Sequence, residues 1–286
     1  MIYIFAVYTF IFGTLIGSFL NVVILRYGTG KKIVGAKERS MCFSCAKTLE
    51  WYELLPVVSF VCLRGKCSAC KTKISWQYPL VEILTGLVFT GIFLKNYQDL
   101  LSHDYFTFGS VSLLLLTLLQ CVIWSILIVI TVYDFRHKII PDALVYAFSG
   151  LSLLGLFLFP DVAGDYTNPI FAGISFFCFF AGLWFISGGK WLGFGDAKLV
   201  LGVGFFLGLV SGLSALVLAF WIGAAVSIAL LGWQYVRSRA VPEKRLQARR
   251  MPLTIKSEIP FAPFIILGTF ISFFCHVDIL GISTFF

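Results

Sequence analysis

Charge is scarce in this sequence. Only 13% of its 286 residues are Asp, Glu, Lys or Arg, about half the roughly 25% usual in soluble domains. That shortage excludes an ordinary water-soluble globule. The first apolar run lacks a basic segment before it and a small-residue cleavage site after it, so it reads as a retained helix rather than a removed signal peptide. The sequence has no low-complexity tract and no repeat of fixed period. It has no glycine-rich nucleotide loop on a strand–helix unit. No motif supports nucleic-acid binding.

Apolar residues are abundant: 59% of the chain is hydrophobic, with a mean hydropathy of +0.94. About 20 consecutive apolar residues span a hydrocarbon core. On that basis the sequence predicts spans at 2–25, 79–95, 111–133, 142–160, 169–187, 197–210, 212–235 and 260–281. The expected fold is therefore an all-α integral membrane protein of about eight transmembrane helices. The sixth span is short and the least sharply bounded. The expected organisation is a first helix over 1–26, a cytoplasmic loop domain over 27–78 and a seven-helix membrane domain over 79–286.

Basic residues set the expected orientation, because cytoplasmic loops carry the excess of Lys and Arg. With the N-terminus outside, the inner loops 26–78, 134–141, 188–196 and 236–259, together with Lys198, hold 21 of the 22 basic residues; only Lys95 lies outside. Asp99, Asp104, Asp161 and Asp165 fall in outer loops. The net charge of +8 is thus a topological signal, and it also suits contact with anionic lipid headgroups. The connector 236–259, broken by Pro242 and Pro252, reads as a solvated basic linker.

The loop 27–78 carries Cys42-x-x-Cys45 and, farther on, Cys67-x-x-Cys70. Two such knuckles bring four thiolates to one tetrahedral point, which suits zinc and leaves no open position for a substrate, hence a structural site. Lys47, Lys66 and Lys71 lie nearby and favour the thiolate form. A disulfide pair is the alternative, disfavoured by a reducing cytosol. Cys62, Cys121, Cys178 and Cys275 read as small packing residues.

Acidic residues within spans are costly and tend to be functional. Asp278 lies near an outer end and needs no special role. Asp142, after Pro141, reads first as a helix cap, and Glu82 in YPLVEILTG serves either structure or substrate. Asp134 ends the third span in VITVYDFRHKIIPD. Asp196 opens the sixth in GFGDAK, after Gly193 and Gly195. The topology puts both at one face. Two close carboxylates share a proton, so one can act as base toward a water while the other acts as acid toward a carbonyl oxygen. The two glycines would let the backbone bend or let an extended peptide approach. Helix capping or a proton path in a transporter uses the same residues. Transport, however, favours binding groups near the midplane and repeated halves.

GFGDAK and VYDFRHKIIPD resemble the GxGD and D-x6-P-D motifs of the bacterial prepilin peptidases, the type IV leader peptidases. GSFLNVVILR, the ordered series from Arg39 to Gly86 (C-x2-C, Trp, Glu-Leu-x-Pro, LRGKC, x2-C, IS, YPLVE) and IPFAPFIILG extend the resemblance over nearly the whole chain. Phe43 stands where that family commonly has proline, and Arg26-Tyr27-Gly28 where Arg-Leu-Pro is usual. The resemblance implies a membrane aspartic endopeptidase with Asp134 and Asp196 as its dyad. Such an enzyme cleaves the basic leader of prepilin-like proteins at a Gly-Phe junction on the cytoplasmic face of the bacterial inner membrane. It implies pilins or pseudopilins of type IV pilus, type II secretion or competence systems as substrates. It further implies N-methylation of the new N-terminus with S-adenosylmethionine, and gives Glu53 a role there. The competing reading of Glu53 is a solvated loop residue. The remaining alternatives are a secondary transporter using Asp134 and Asp196, and a non-catalytic zinc-loop scaffold.

Overall fold

A computed structural model describes residues 2–30, 40–102, 110–159, 166–240, 260–275, 278–279 and 281. The basic run 241–259 and the outer-loop residues Asp104, Asp161 and Asp165 lie outside them. The described residues are helical, with two isolated β-bridges and no strand. In chain order come α1 (Ile2–Arg26), a 3-10 turn (Trp51–Leu54), the short α2 (Val58–Cys62), α3 (Gln77–Ser102) and α4 (Ser110–His137). These are followed by α5 (Asp142–Leu158), α6 (Thr167–Ser187), α7 (Phe194–Ala240) and α8 (Ala262–Cys275). Five helices are long and apolar enough to cross a membrane, and α5 and α8 are shorter apolar helices. The chain is a multi-pass membrane protein.

It divides into two compact units, Met1–Val132 and Tyr133–Phe286. In the first, α1 lies against α3 along glycines. A Cβ on Gly13 would lie 2.8 Å from the Gly86 Cα, and one on Gly17 would lie 2.8 Å from the Glu82 Cα. Small residues one turn apart allow such close backbone approach where lipid offers no hydrophobic drive for association. Polar side chains then fasten the helices. Asn21 donates to the Tyr78 carbonyl at 3.2 Å, and Asn96 donates to Gln120 at 2.9 Å.

In the second unit α7 packs against α6, α8 and α5. The expected boundary between the sixth and seventh spans, at 210–212, lies inside α7, where the break itself comes slightly earlier, at Gly208. That residue adopts φ 74° and ψ −170°, and the Leu209 N–H freed there is taken by the Asn168 side chain at 2.8 Å. The neighbours on either side show what the break does. Gly204 rests on the Gly173 backbone, Gly208 on Asn168, and Gly212 on Phe176; Phe220 then meets Phe180 at 6.1 Å. The chain runs against α6, reverses at Gly208 and runs back alongside it. Counting 194–207 and 209–240 separately, the described residues form eight apolar helices, as the hydropathy predicts.

The ε-type conformation of Gly208 is open essentially to glycine alone and costs other residues about 1–3 kcal/mol. Gly208→Ala should therefore lower the thermal unfolding midpoint in detergent by several degrees. Gly182→Ala, at a helical position where a Cβ meets nothing within 4 Å, should leave it unchanged or raise it.

Candidate active site and metal loop

Two buried acidic side chains of the second unit interact electrostatically. Asp134 stands in the last turn of α4, where the helix ends as the Lys138 N–H bonds back to the Asp134 carbonyl at 2.8 Å and Lys138 takes a positive φ of 54°. Asp196 stands in the first turn of α7. Their residues are 4% and 6% exposed, and Asp134 is the charged neighbour that Asp196 feels. Each carboxylate is held by backbone. The Gly193 N–H donates to Asp196 Oδ2 at 3.2 Å. The Ala262 N–H, at the start of α8, bonds the Asp134 carboxylate. Asp134 Oδ2 and Asp196 Oδ1 are buried and have no hydrogen-bond partner among the described residues.

The glycines of GFGDAK act sterically. Neither Gly193 nor Gly195 has a positive φ, so the motif does not use glycine's left-handed freedom. A Cβ on Gly195 would lie 3.0 Å from Ile140, whereas one on Gly193 would meet only the Asp196 carboxylate and the adjoining backbone. Gly195 thus lets the VYDFRHKIIPD segment close onto the helix start, and Gly193 keeps one side of Asp196 thin.

Asp142 does not cap α5. Pro141 occupies the cap position, without any side-chain cap bond, and the Asp142 carboxylate instead accepts from Lys198 Nζ at 2.9 Å. Lys198 also lies over the rings of Tyr146 and Phe194, at 5.3 and 5.2 Å. Sequence reasoning missed this link and the Ala262 donor. Lys198 stood in the GFGDAK motif as a basic residue at a helix start, whereas the Ala262 donor is a backbone group that residue identity does not mark.

In the first unit the sulfurs of Cys42, Cys45, Cys67 and Cys70 all lie within 4.8 Å of one another. All four are free thiols, as are the other cysteines. Zinc–sulfur bonds of about 2.3 Å arranged tetrahedrally place sulfurs about 3.8 Å apart, and Cys42 and Cys70 are 3.8 Å apart. The two knuckles repeat one local design. The Cys42 N–H bonds the Lys47 carbonyl and the Cys67 N–H the Thr72 carbonyl, both at 2.9 Å. Each knuckle turns through a positive φ four residues after its first cysteine, at Ala46 and Lys71.

Hydrogen bonds from Thr72, hydroxyl first and then N–H, bring the Cys70 thiol down to about 6. The Cys45 and Ser44 N–H groups lower Cys42. For Cys45 the Lys47 N–H pulls downward, but the Cys70 sulfur and burial outweigh it and the thiol stands at about 11. Four thiols this close cannot all ionise unless a cation lies among them, so the donor set fits a metal ion. Cys62, in α2, is exposed and outside the cluster, so it is not the packing residue its sequence context suggests.

Glu53 is buried rather than solvated. Its carboxylate accepts from the Ser68 hydroxyl, from the Glu50 N–H at 2.9 Å and from Lys47 Nζ at 3.1 and 3.2 Å. Those donors, Ser68 foremost, hold it at about 2, below its ordinary 4.5. Glu53 thereby ties the first knuckle, through Lys47, to the second, through Ser68.

Two family models match the chain: the Bacterial Peptidase A24 N-terminal domain over residues 11–96 and the Type IV leader peptidase family over residues 121–228. A Bacillus subtilis relative, named Prepilin leader peptidase/N-methyltransferase, is 30% identical over 92% of the chain and 92% of its own length. The chain belongs to the type IV leader peptidase family. Relatives of the same name include one from Neisseria gonorrhoeae, 30% identical over 76% of the chain and 78% of its own length. One from Myxococcus xanthus is 34% identical over 79% of the chain, which spans 63% of that relative's length. No solved structure matches the chain. Within the family match, the GFGDAK motif and Asp134 both fall in the leader peptidase segment, and the cysteine loop falls in the N-terminal domain segment.

A depressed carboxylate stabilises the fold above its unfolded value and loses that contribution as pH falls toward its folded value. The Glu53 anchor is therefore complete above about 4.5 and is lost as pH falls toward 2. Glu53→Gln should flatten that acid limb in limited proteolysis of the 40–76 loop. Metal analysis of purified protein should give one zinc per chain, and Cys70→Ser should reduce it severalfold and speed cleavage of the same loop.

Proposed function

We propose that Asp134 and Asp196 are the catalytic dyad of a membrane aspartic endopeptidase that removes the basic leader of prepilin-like proteins. The observation that carries this reading is the interaction of two buried carboxylates, each fixed by a backbone N–H and each with one oxygen otherwise unbonded. A water placed between the unbonded oxygens gives a proton to the ionised carboxylate as it attacks the scissile carbonyl, while the other group, which carries the proton the pair shares, gives that proton to the carbonyl oxygen. The dyad then returns a proton to the leaving amine. The thin side at Gly193 admits an extended peptide.

The substrate contributes an apolar helix that lies beside the spans and presents its Gly-Phe junction at the cytoplasmic face. The chain sits in the bacterial inner membrane with its N-terminus outside. Residues 1–26 form the first span, 27–78 a zinc-stapled cytoplasmic loop, and 79–286 the protease domain. Basic loops contact lipid headgroups. The same protein methylates the new N-terminal amine, as the names of its relatives state for them, with S-adenosylmethionine as methyl donor. The described pocket lined by Phe220, Gly223, Ala224, Ser227, Phe261 and Phe264 carries no charge. Its one hydroxyl is already bonded to the Gly223 carbonyl, so it does not suit that donor.

Transport accounts for fewer of the observations. It has no use for a cysteine-stapled loop, and the curated relatives cited above carry the peptidase name.

Asp134→Asn and Asp196→Asn keep the side-chain shape and remove the acid–base function. Each should reduce cleavage of a prepilin-like substrate in membranes by about 10³-fold or more, with the protein still folded and inserted. Cleavage at the wild-type rate by either variant would overturn the assignment of Asp134 and Asp196 as the dyad.

A further inference from the structure

The first unit holds a second buried carboxylate that the peptidase chemistry does not use. Glu82 is 7% exposed, in the second turn of α3. It accepts the Val57 N–H at 2.8 Å and a bond from the Ser18 hydroxyl, and it has no basic partner among the described residues. A carboxylate can accept about four hydrogen bonds, and a buried one without a cation is costly.

Its surroundings are also unfinished. Gly17 lies against Glu82, and Asn21, one turn farther along α1, lies against Tyr78, one turn back along α3. Asn21 is 1% exposed. Its amide nitrogen donates to the Gly17 and Tyr78 carbonyls at 3.3 and 3.2 Å, while its Oδ1 is buried without a partner. The seam therefore offers spare acceptors on Glu82 and Asn21.

That pattern complements a free N-terminal residue, whose ammonium donates up to three bonds. We infer that Ser18, Asn21 and Glu82 form the site that receives the newly cut N-terminus for methylation. This rests on the reading of the chain as a peptidase that also methylates. The ammonium gives one proton to Glu82, leaving R–NH₂ with a free lone pair and a neutral carboxyl, which later returns its proton to water. Tethering Val57, whose φ of 60° is unusual for a β-branched residue, needs only an acceptor oxygen. A glutamine would supply that, so the tether alone does not call for the negative charge.

The test compares wild type, Glu82→Gln and Asp196→Asn in membranes, supplied with a prepilin-like substrate and labelled S-adenosylmethionine. Glu82→Gln should cleave within about twofold of wild type but methylate about 10²-fold more slowly. Asp196→Asn, given a synthetic peptide that already begins with the free phenylalanine, should methylate normally. Wild-type methylation by Glu82→Gln overturns the site. Wild-type cleavage by Asp196→Asn instead overturns the peptidase reading. If Glu82→Gln loses both activities, the decision passes to the unaltered protein, where a carbodiimide adduct on Glu82 is followed by mass spectrometry. The free-amine peptide should slow labelling severalfold and its N-acetylated form should not. Equal labelling with both peptides refutes the assignment.

Discussion

Placing a carboxylate where water is scarce is the constraint around which the second unit is arranged. An ionised group in such a place loses its hydration, and only well-aimed donors or a shared proton offset the loss. Asp134 and Asp196 receive those donors from backbone, at Ala262 and Gly193. Backbone donors do not swing away as side chains do, so the two acids keep their geometry while each retains an oxygen free for chemistry. Three separated motifs meet for this reason. VYDFRHKIIPD and GFGDAK bring the acids, Gly195 lets Ile140 close between them, and IPFAPF begins α8 where its first N–H groups are unsatisfied and point at an acceptor.

The loop in the first unit solves a different problem. It is too small and too polar to be held by a core, and several of its large apolar side chains, Phe43, Trp51 and Trp76 among them, are exposed. The buried Glu53 anchor supplies cohesion that packing does not, and the four clustered cysteines, which could hold a metal ion, would add to it when loaded. The carboxylate assigned to methyl transfer by resemblance is thus engaged in holding the knuckles together, whereas Glu82 retains unused bonding capacity.

Most of the fold was legible because run length and apolar content are properties of contiguous sequence. The eight helices follow from them, and the reversal at Gly208 falls just ahead of the expected boundary between 210 and 212. The pair of buried acids was legible because intramembrane acids are rare enough to stand out, and the knuckles because their cysteines come in close pairs. Contacts between distant segments were not. Asp142 beside Pro141 has every local feature of a cap, yet its partner is Lys198. The Ala262 donor is a backbone group, which leaves no trace in residue identity. The burial of Glu53 was not legible because its three donors are spread from Lys47 to Ser68. Gly13 and Gly17 carried a close-packing signal that hydropathy alone passes over.

The turn at Gly208 also fixes how deep the chemistry lies. The limb that carries Asp196, residues 194–207, has about 14 residues and so rises about 21 Å, against a hydrocarbon core of about 30 Å. Set with its far end at one surface, it stops short of the other by roughly 9 Å. A short helix is accommodated by thinning of the bilayer around it. Thinning of the bilayer at that limb would bring headgroups and water toward an acid that a full-length helix would have carried out to the surface.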